Sequence, residues 1–541
     1  MYQKDILPIS FSAFILAIIL LAFNIQRGEV QPWDEGLYAY RAREILNTNL
    51  WWDQTSASLG NLYSSTYPPL VPWIMALNMK FFGVNLFSIR LFSILSSAGI
   101  IFLFLLCISR CFDSQTSFLI SINLLLSTHW FTYSRQGMLD IPLLFFIFSN
   151  LLAVLNFLQS NTRTKEIFYG ILIALTFCFA LMTKIVLSFI PLLFLIFIHH
   201  YFKGKKFKVA LLFFAIGFLA SLPWYISMSF KYGSAFLFAL FPPHLYSIVE
   251  GNTKPLGLLY YLNQLVISNP ILSFSFLNVL VRLKSFKQKS FFSQNFLSDI
   301  FFFWFIFGTI IFSLAPTKMQ YYTLYLLIPA FYLSLEFVTF NFDKQKLPFR
   351  FFSMLIFVLT ILWYFSPEIR ASLKELNPIY SVKLLFASLI VVLLGIIYWF
   401  EKHKRLISLY CSKSVNVVIF LISVAILFTT LLDREKRIPG VIFGGERTST
   451  FLKQHKVDTL VYLFHKVNDS DTLNPQLAWY TEGFYFGKDR SKKIIFLPIP
   501  SNKIGLEEIK WLNKYPNYYV VYYIYSKNVP KQILISTILT H

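Results

Sequence analysis

Charge is scarce in this chain. Only 14% of its 541 residues are Asp, Glu, Lys or Arg, against about 25% in an ordinary soluble domain. Acids are the scarcer sign, at 26 against 48 Lys and Arg. Hydrophobic residues make up 56% of the chain and the mean hydropathy is +0.60. They come in long blocks, which excludes a large soluble core and points to a membrane protein. Cysteine is scarce too. Cys107, Cys111, Cys178 and Cys411 lie in or beside apolar segments, and they build no disulfide framework and no zinc spacing. The first apolar block lacks an A-x-A-like cleavage site and ends in Asn24–Gln26, so it reads as a retained helix rather than a leader.

What is abundant has a simple account. The net charge of +22 would suggest nucleic acid on a soluble protein. Here the cations sit mainly in short loops between apolar blocks, so they report topology and contact with anionic lipid, and no nucleic-acid partner is expected. The 62 phenylalanines are tolerated on every face of a helix in lipid and carry no function by themselves.

Apolar stretches of roughly 17–25 residues can cross a bilayer. They predict helices near 6–24, 89–108, 115–133, 139–158, 167–182, 185–201, 209–228, 262–281, 299–315, 320–338, 350–366, 381–400 and 415–432. The expected fold is a polytopic α-helical membrane protein with about thirteen transmembrane helices, followed by a small C-terminal α/β domain. The transmembrane domain covers 1–435, with long outer loops at 25–88 and 229–261 that carry interfacial helices. The second domain covers 440–541, with strands at Asp458–Phe464, Lys493–Pro498 and Tyr518–Tyr525 and an amphipathic helix at Gly505–Tyr515.

Loop charge orients the set. Arg163 and Lys165, then Lys203 to Lys208, Arg282 to Lys289, Lys344 to Arg350, and Lys402 to Arg405 fall on one side. The short loops opposite hold only Arg135, Lys184, Lys318, Arg370 and Lys374. The positive-inside rule puts the N-terminus in the cytoplasm, and an odd helix count puts the C-terminal domain outside, which in a bacterium is the periplasm.

On that outer side lie the residues suited to chemistry. Asp34 and Glu35 sit about ten residues past the first helix, in Trp33-Asp34-Glu35-Gly-Leu-Tyr38. A carboxylate there can take a proton from an acceptor hydroxyl or amine; a solvated acid in a first helical turn is the plainer alternative. Asp140 opens a helix in Arg135-Gln-Gly-Met-Leu-Asp140-Ile-Pro142, where it can act chemically or cap the helix. Lys184 and Lys318 run against the positive-inside trend and suit a lipid phosphate, or else anchor their helices by snorkelling.

Together these segments resemble a family. Asp34-Glu35-Gly-x-Tyr38-x-x-x-Ala-Arg43-Glu44 resembles the first-loop motif of the bacterial lipid A aminoarabinose transferases. More broadly it is similar to the dolichyl-phosphate-mannose–protein mannosyltransferase superfamily, the C-type membrane glycosyltransferases. Tyr67-Pro-Pro-Leu70 with Trp73, Arg135…Asp140-Ile-Pro142, Met182-Thr-Lys184, and Lys318…Tyr321-Tyr322…Pro329 resemble further family segments, in family order across about 30–330. Two positions depart from the aminoarabinose transferases: Leu37 replaces an arginine and Tyr67 replaces the lysine before Pro-Pro. Both changes remove a cation from the donor site.

The resemblance implies a glycosyltransferase. It would move a sugar from a polyprenyl-phosphate donor to a lipid A, other glycan or protein acceptor on the periplasmic side of the inner membrane. It implies Asp34 as general base, with Glu35 and Asp140 positioning the acceptor or a cation. Arg135, Lys184, Lys318 and Tyr322 would hold the donor phosphate. No nucleotide or flavin is required, and a divalent cation between Asp34 and Asp140 stays open. The alternative from another class is a transporter or flippase of a lipid-linked sugar, which would place its charges near mid-bilayer on broken helices.

Overall fold

The computed structural model describes residues 6–26, 29–31, 34–55, 67–201, 205–240, 259–286, 296–315, 318–341, 459–464, 479–480, 493–498, 518–523 and 533–536. By contacts the chain forms two compact units. One comprises Met1–Phe23, Ser93–Arg135 and Leu139–Leu432; the other comprises Asn24–Phe92, Gln136–Met138 and Asp433–His541.

Helices dominate the first unit. α1 (Ile6–Ala22) buries Ile6, Ser10, Ala13, Ala17 and Leu21 along one stripe and leaves Leu7, Phe11, Ile15 and Ile19 exposed. The small residues let the helix approach its neighbours, and the exposed apolar stripe suits lipid. Among the described residues six helices are long and apolar enough to cross a membrane: Leu86–Ile108, Asp140–Gln159, Arg163–Leu181, Lys206–Tyr232, Phe296–Leu314 and Gln320–Thr339. The chain is a polytopic helical membrane protein. The helices expected at 350–366, 381–400 and 415–432 lie outside the described residues.

Three expected helices are interrupted, each for a local reason. The stretch 115–133 divides into α5 (Ser114–Leu126) and α6 (Thr128–Ser134). Ser127 between them is extended, and its N–H and hydroxyl both turn back onto the Leu124 carbonyl. Asp113 starts α5 by accepting the Thr116 N–H at 2.9 Å. The stretch 262–281 divides at Asn269-Pro270 into α12 (Tyr260–Ser268), a 3₁₀ turn (Pro270–Leu272) and α13 (Ser273–Phe286). A residue before proline is pushed to extended backbone, as Asn269 is at φ −161° and ψ 123°. The stretch 320–338 opens with a 3₁₀ turn (Gln320–Thr323), runs as α15 (Leu324–Glu336) and ends in a π turn (Phe337–Asn341).

The remaining helices of this unit among the described residues are α7 (Asp140–Gln159), α8 (Arg163–Leu181), α9 (Ile190–Tyr201), α10 (Lys205–Tyr232), α11 (Ser234–Leu240) and α14 (Phe296–Leu314). A break with a 3₁₀ turn at Leu187–Phe189 separates α8 from α9.

The second unit holds the first outer loop, where α2 (Asp34–Thr48) packs on α3 (Leu70–Phe82) before α4 (Leu86–Ile108) begins. α3 buries Val71, Met75 and Met79 at a four-residue spacing and exposes Phe81 and Phe82. The loop thus carries two helices among its described residues. The unit also contains a four-stranded sheet in the order β2-β1-β3-β4, from β1 (Thr459–Phe464), β2 (Lys493–Pro498), β3 (Tyr518–Tyr523) and β4 (Ile533–Ser536). β1 is parallel to β2 and β3, while β4 runs antiparallel to β3. The first three strands overlap the expected ones and the fourth was not anticipated. The helix expected at Gly505–Tyr515 lies outside the described residues.

Candidate functional site

The two adjacent acids that open α2 have different fates. Asp34 is half-buried, whereas Glu35 has no exposed surface. Glu35 accepts four hydrogen bonds from three residues. Arg90 donates through Nε to Oε1 at 2.7 Å and through Nη2 to Oε2 at 3.0 Å. The Gly137 N–H reaches Oε1 at 2.7 Å and the Gln31 N–H reaches Oε2 at 2.6 Å. Burial alone would push the Glu35 carboxyl up. The Arg90 charge and hydrogen bonds, with those from Gly137 and Gln31, outweigh it and hold the group below the usual carboxylate range. Each carboxylate oxygen thus takes two donors, which leaves little capacity for the acceptor or cation expected of Glu35. The four bonds tie Gln31, Arg90 and Gly137 to the first turn of α2.

Arg90 extends the same network. Its Nη1 donates to the Ile25 carbonyl at 3.1 Å and its Nη2 to the Glu29 carbonyl at 2.9 Å. One buried guanidinium therefore ties the entry of the loop to the start of α2. Gly137 also fits no larger residue, since a Cβ there would overlap the Ile89 side chain and crowd Met75. The motif around Arg135 and Asp140 thus contributes its glycine to the unit that holds Glu35. Sequence reasoning passed over both Arg90 and Gly137. The available signal for Arg90 was a cation five residues into an apolar span on the low-charge side.

The second cluster lies in the helical unit. Asp140 is the first residue of α7, but Leu139 precedes it as the cap residue and makes no side-chain cap bond. The buried Asp140 carboxylate is spent elsewhere: Oδ1 accepts from the Tyr325 hydroxyl at 3.0 Å and pairs with Lys184 Nζ at 3.4 Å. Lys184 follows the end of α8. Its ammonium lies 5.4 Å from the ring centres of both Tyr321 and Tyr322, within cation–π range. Tyr322 stacks on Phe312 at 5.3 Å and 18°. An acid, a cation and three tyrosines thus meet at one end of α7, α8 and α15. Of these, Tyr325 was not anticipated.

The other two expected phosphate ligands are engaged with helix ends. Lys318 Nζ donates to the carbonyls of Ser313 and Ala315 at 2.8 and 2.9 Å, closing the C-terminus of α14. Arg135 is buried and donates to the carbonyls of Leu20 and Phe23 at 3.2 and 2.6 Å, at the end of α1. Among the described residues no group of three or more His, Cys, Asp or Glu side chains is gathered to hold a metal ion.

A second ion-paired cluster lies at the opposite end of α14 and α15. Arg282 pairs with Asp299 at 3.0 Å and with Glu336 at 2.8 Å, and Asn278 donates to Glu336 at 2.8 Å. Asp299 lies in the first turn of α14, Glu336 ends α15, and Arg282 and Asn278 reach them from α13, so the cluster laces the three helices together.

Comparison with known proteins agrees with this architecture. A family model for dolichyl-phosphate-mannose-protein mannosyltransferases matches residues 66–224, a stretch that includes Arg135, Asp140 and Lys184 and begins after Asp34. No curated protein sequence matches the chain. The crystal structure of ArnT from Cupriavidus metallidurans in the apo state is similar at a TM-score of 0.63 and 14% identity, covering 90% of this chain and 85% of that one. The structure of ArnT from the same organism bound to undecaprenyl phosphate is similar at 0.64 and 14%, covering 97% and 98%. The likeness is one of fold over nearly the whole length of both chains, and it accords with the C-type membrane glycosyltransferase resemblance of the motifs.

Proposed function

We propose that this chain is a membrane glycosyltransferase that moves a sugar from a polyprenyl phosphate to an acceptor at the outer, periplasmic face of a bacterial inner membrane. The observation that carries the reading is the Asp140–Lys184–Tyr322 cluster. It keeps a cation in place between a carboxylate and two aromatic faces, at a helix end that loop charge assigns to the low-charge side. The partial match to the mannosyltransferase family model and the fold likeness to ArnT support it.

In this mechanism the acceptor hydroxyl oxygen attacks the anomeric carbon of the donor sugar. Its proton passes to the Asp34 carboxylate, the half-buried acid of the first-loop pair. The bond between the anomeric carbon and the phosphate oxygen breaks, and the electron pair leaves on the polyprenyl phosphate. The Lys184 ammonium stabilises that charge, and Asp140 and Tyr325 set its position. Tyr322 lines the same position, while Lys318 and Arg135 serve the helix ends they bond. The leaving group is already a phosphate, so the step calls for no nucleotide or flavin, and a divalent cation is not required by it.

A transporter of a lipid-linked sugar would need functional charge in the middle of its spans. Among the described residues the Asp140–Lys184 and Arg282–Asp299–Glu336 ion pairs involve groups at or near helix ends instead. The test is mass spectrometry of envelope glycolipids and glycoproteins from cells with and without the gene, followed by transfer assays on purified protein. A sugar that disappears from an outer-face acceptor supports the enzyme. An unchanged envelope, with lipid-linked sugar accumulating on the cytoplasmic side, favours the transporter.

A further inference from the structure

Trp479 and Tyr480 are buried, and their partners lie in the first outer loop more than 400 residues earlier. The Tyr480 hydroxyl accepts the Val30 N–H at 3.0 Å and hydrogen-bonds the Glu29 side chain. The Glu29 carbonyl in turn accepts from Arg90, the guanidinium that holds Glu35. On the other side of Asp34 in sequence, Arg43 Nη1 donates to the Trp479 carbonyl at 2.8 Å. The Arg43 guanidinium lies 4.7 Å from the Trp479 ring centre and 5.3 Å from that of Tyr40. The dipeptide therefore grips the segment that carries Asp34 both before and after that residue.

We propose that Trp479 and Tyr480 are positioning residues for the transfer reaction: they fix the segment from Glu29 through α2 so that Asp34 is presented in one orientation. The inference rests on the glycosyltransferase reading and extends it to the C-terminal region. Three features support it. The contacts reach the Glu35–Arg90 network through Glu29 rather than a remote surface. Val30 and Arg43 lie on either side of Asp34 in sequence, so the two bonds from the dipeptide hold its chain neighbours from both directions. Burial, with Glu29 beside it, holds the Tyr480 hydroxyl well above the ordinary phenol range, so it stays a protonated donor.

The experiment compares the full-length protein with Tyr480→Phe, which keeps the ring and removes the hydroxyl, and Trp479→Ala. Three readouts are taken: kcat and KM for the polyprenyl-phosphate donor, melting temperature, and amide hydrogen exchange of peptides covering 29–48. Misplacing a reacting group by about 1 Å can cost on the order of 100-fold. The expected result for Tyr480→Phe is a kcat lower by about 10–100-fold, KM within about twofold, an unchanged melting temperature and faster exchange over 29–48. A purely structural role would lower the melting temperature and leave kcat per folded molecule at the wild-type value. Wild-type kcat in both variants, or wild-type exchange over 29–48, overturns the proposal. A wild-type protein that transfers no sugar overturns the glycosyltransferase reading instead, and the exchange result still decides whether the dipeptide orders the Asp34 segment.

Discussion

Glu35 and Arg90 stand 55 residues apart and form a bidentate ion pair, at 2.7 and 3.0 Å, with both side chains shut off from solvent. Taking two charges out of water is costly, and further hydrogen bonds offset that cost: Glu35 also accepts from the Gln31 and Gly137 N–H groups, and Arg90 also donates to the Ile25 and Glu29 carbonyls. The consequence is asymmetric. Arg90→Met leaves a buried, uncompensated carboxylate and is expected to cost about 3–5 kcal/mol. In detergent this reads as a large fall in melting temperature. The pH dependence has a definite sign. Glu35 is held below its ordinary value of 4.5, so its contribution is full above that pH and is lost as pH falls through the lower folded value. Glu35→Gln should therefore flatten the acid limb of the stability profile, and an unchanged limb would remove Glu35 from the account.

The same pair separates two adjacent acids by role. Asp34→Asn keeps size and removes the proton acceptor. It is expected to insert and melt like the wild type while turnover falls about 10²–10⁴-fold. Glu35→Gln is expected to show the reverse balance, with a lower melting temperature and a smaller loss of turnover per folded molecule. Purified Asp34→Asn protein working at the wild-type rate would show that Asp34 is not the base.

Topology supplies an independent check. Loop charge puts the N-terminus inside, so reporter fusions at 205 and 285 should report cytoplasm and one at 500 should report the outside. A cytoplasmic signal at 500 would reject an odd helix count. It would also separate Trp479 and Tyr480 from the outer loop they contact.

Helices were legible in the sequence because apolar blocks of bilayer length leave little else for the chain to form. Their interruptions were less so. Ser127 sits in an apolar run and breaks its helix only through bonds to Leu124, whereas Asn269-Pro270 carried a readable signal. The four-residue strand Ile533–Ser536 is too short for a periodic pattern, and it exists through pairing with β3. Asp34, Asp140 and Lys184 were visible as charges out of place. Their partners were not, because Asp140 and Tyr325 are 185 residues apart and Val30 and Tyr480 are 450 apart. Long-range pairing of this kind leaves no local pattern. For the same reason Glu35 and Asp34 looked alike, although one is saturated and the other half-buried.

Lys184 and Lys318 looked equivalent in sequence, and their surroundings now differ. Lys318 closes the end of α14 with two carbonyl bonds. Lys184 pairs with Asp140 and lies over the rings of Tyr321 and Tyr322, so its ammonium is held by side chains rather than by helix-end carbonyls. The donor phosphate should therefore depend more on Lys184. Losing a charge-assisted hydrogen bond costs about 1.5–3 kcal/mol, or about 10–150-fold in affinity. Lys184→Met is expected to weaken binding of a polyprenyl phosphate by that factor. Lys318→Met is expected to lower helix stability by about 0.3–1 kcal/mol, the scale of a cation at a helix C-terminus, and to move affinity little. Titration of both purified variants with undecaprenyl phosphate decides between them. Equal losses would make the two lysines joint ligands of the phosphate. A loss confined to Lys318→Met would move the phosphate away from Asp140 and dissolve the cluster on which the proposed mechanism stands.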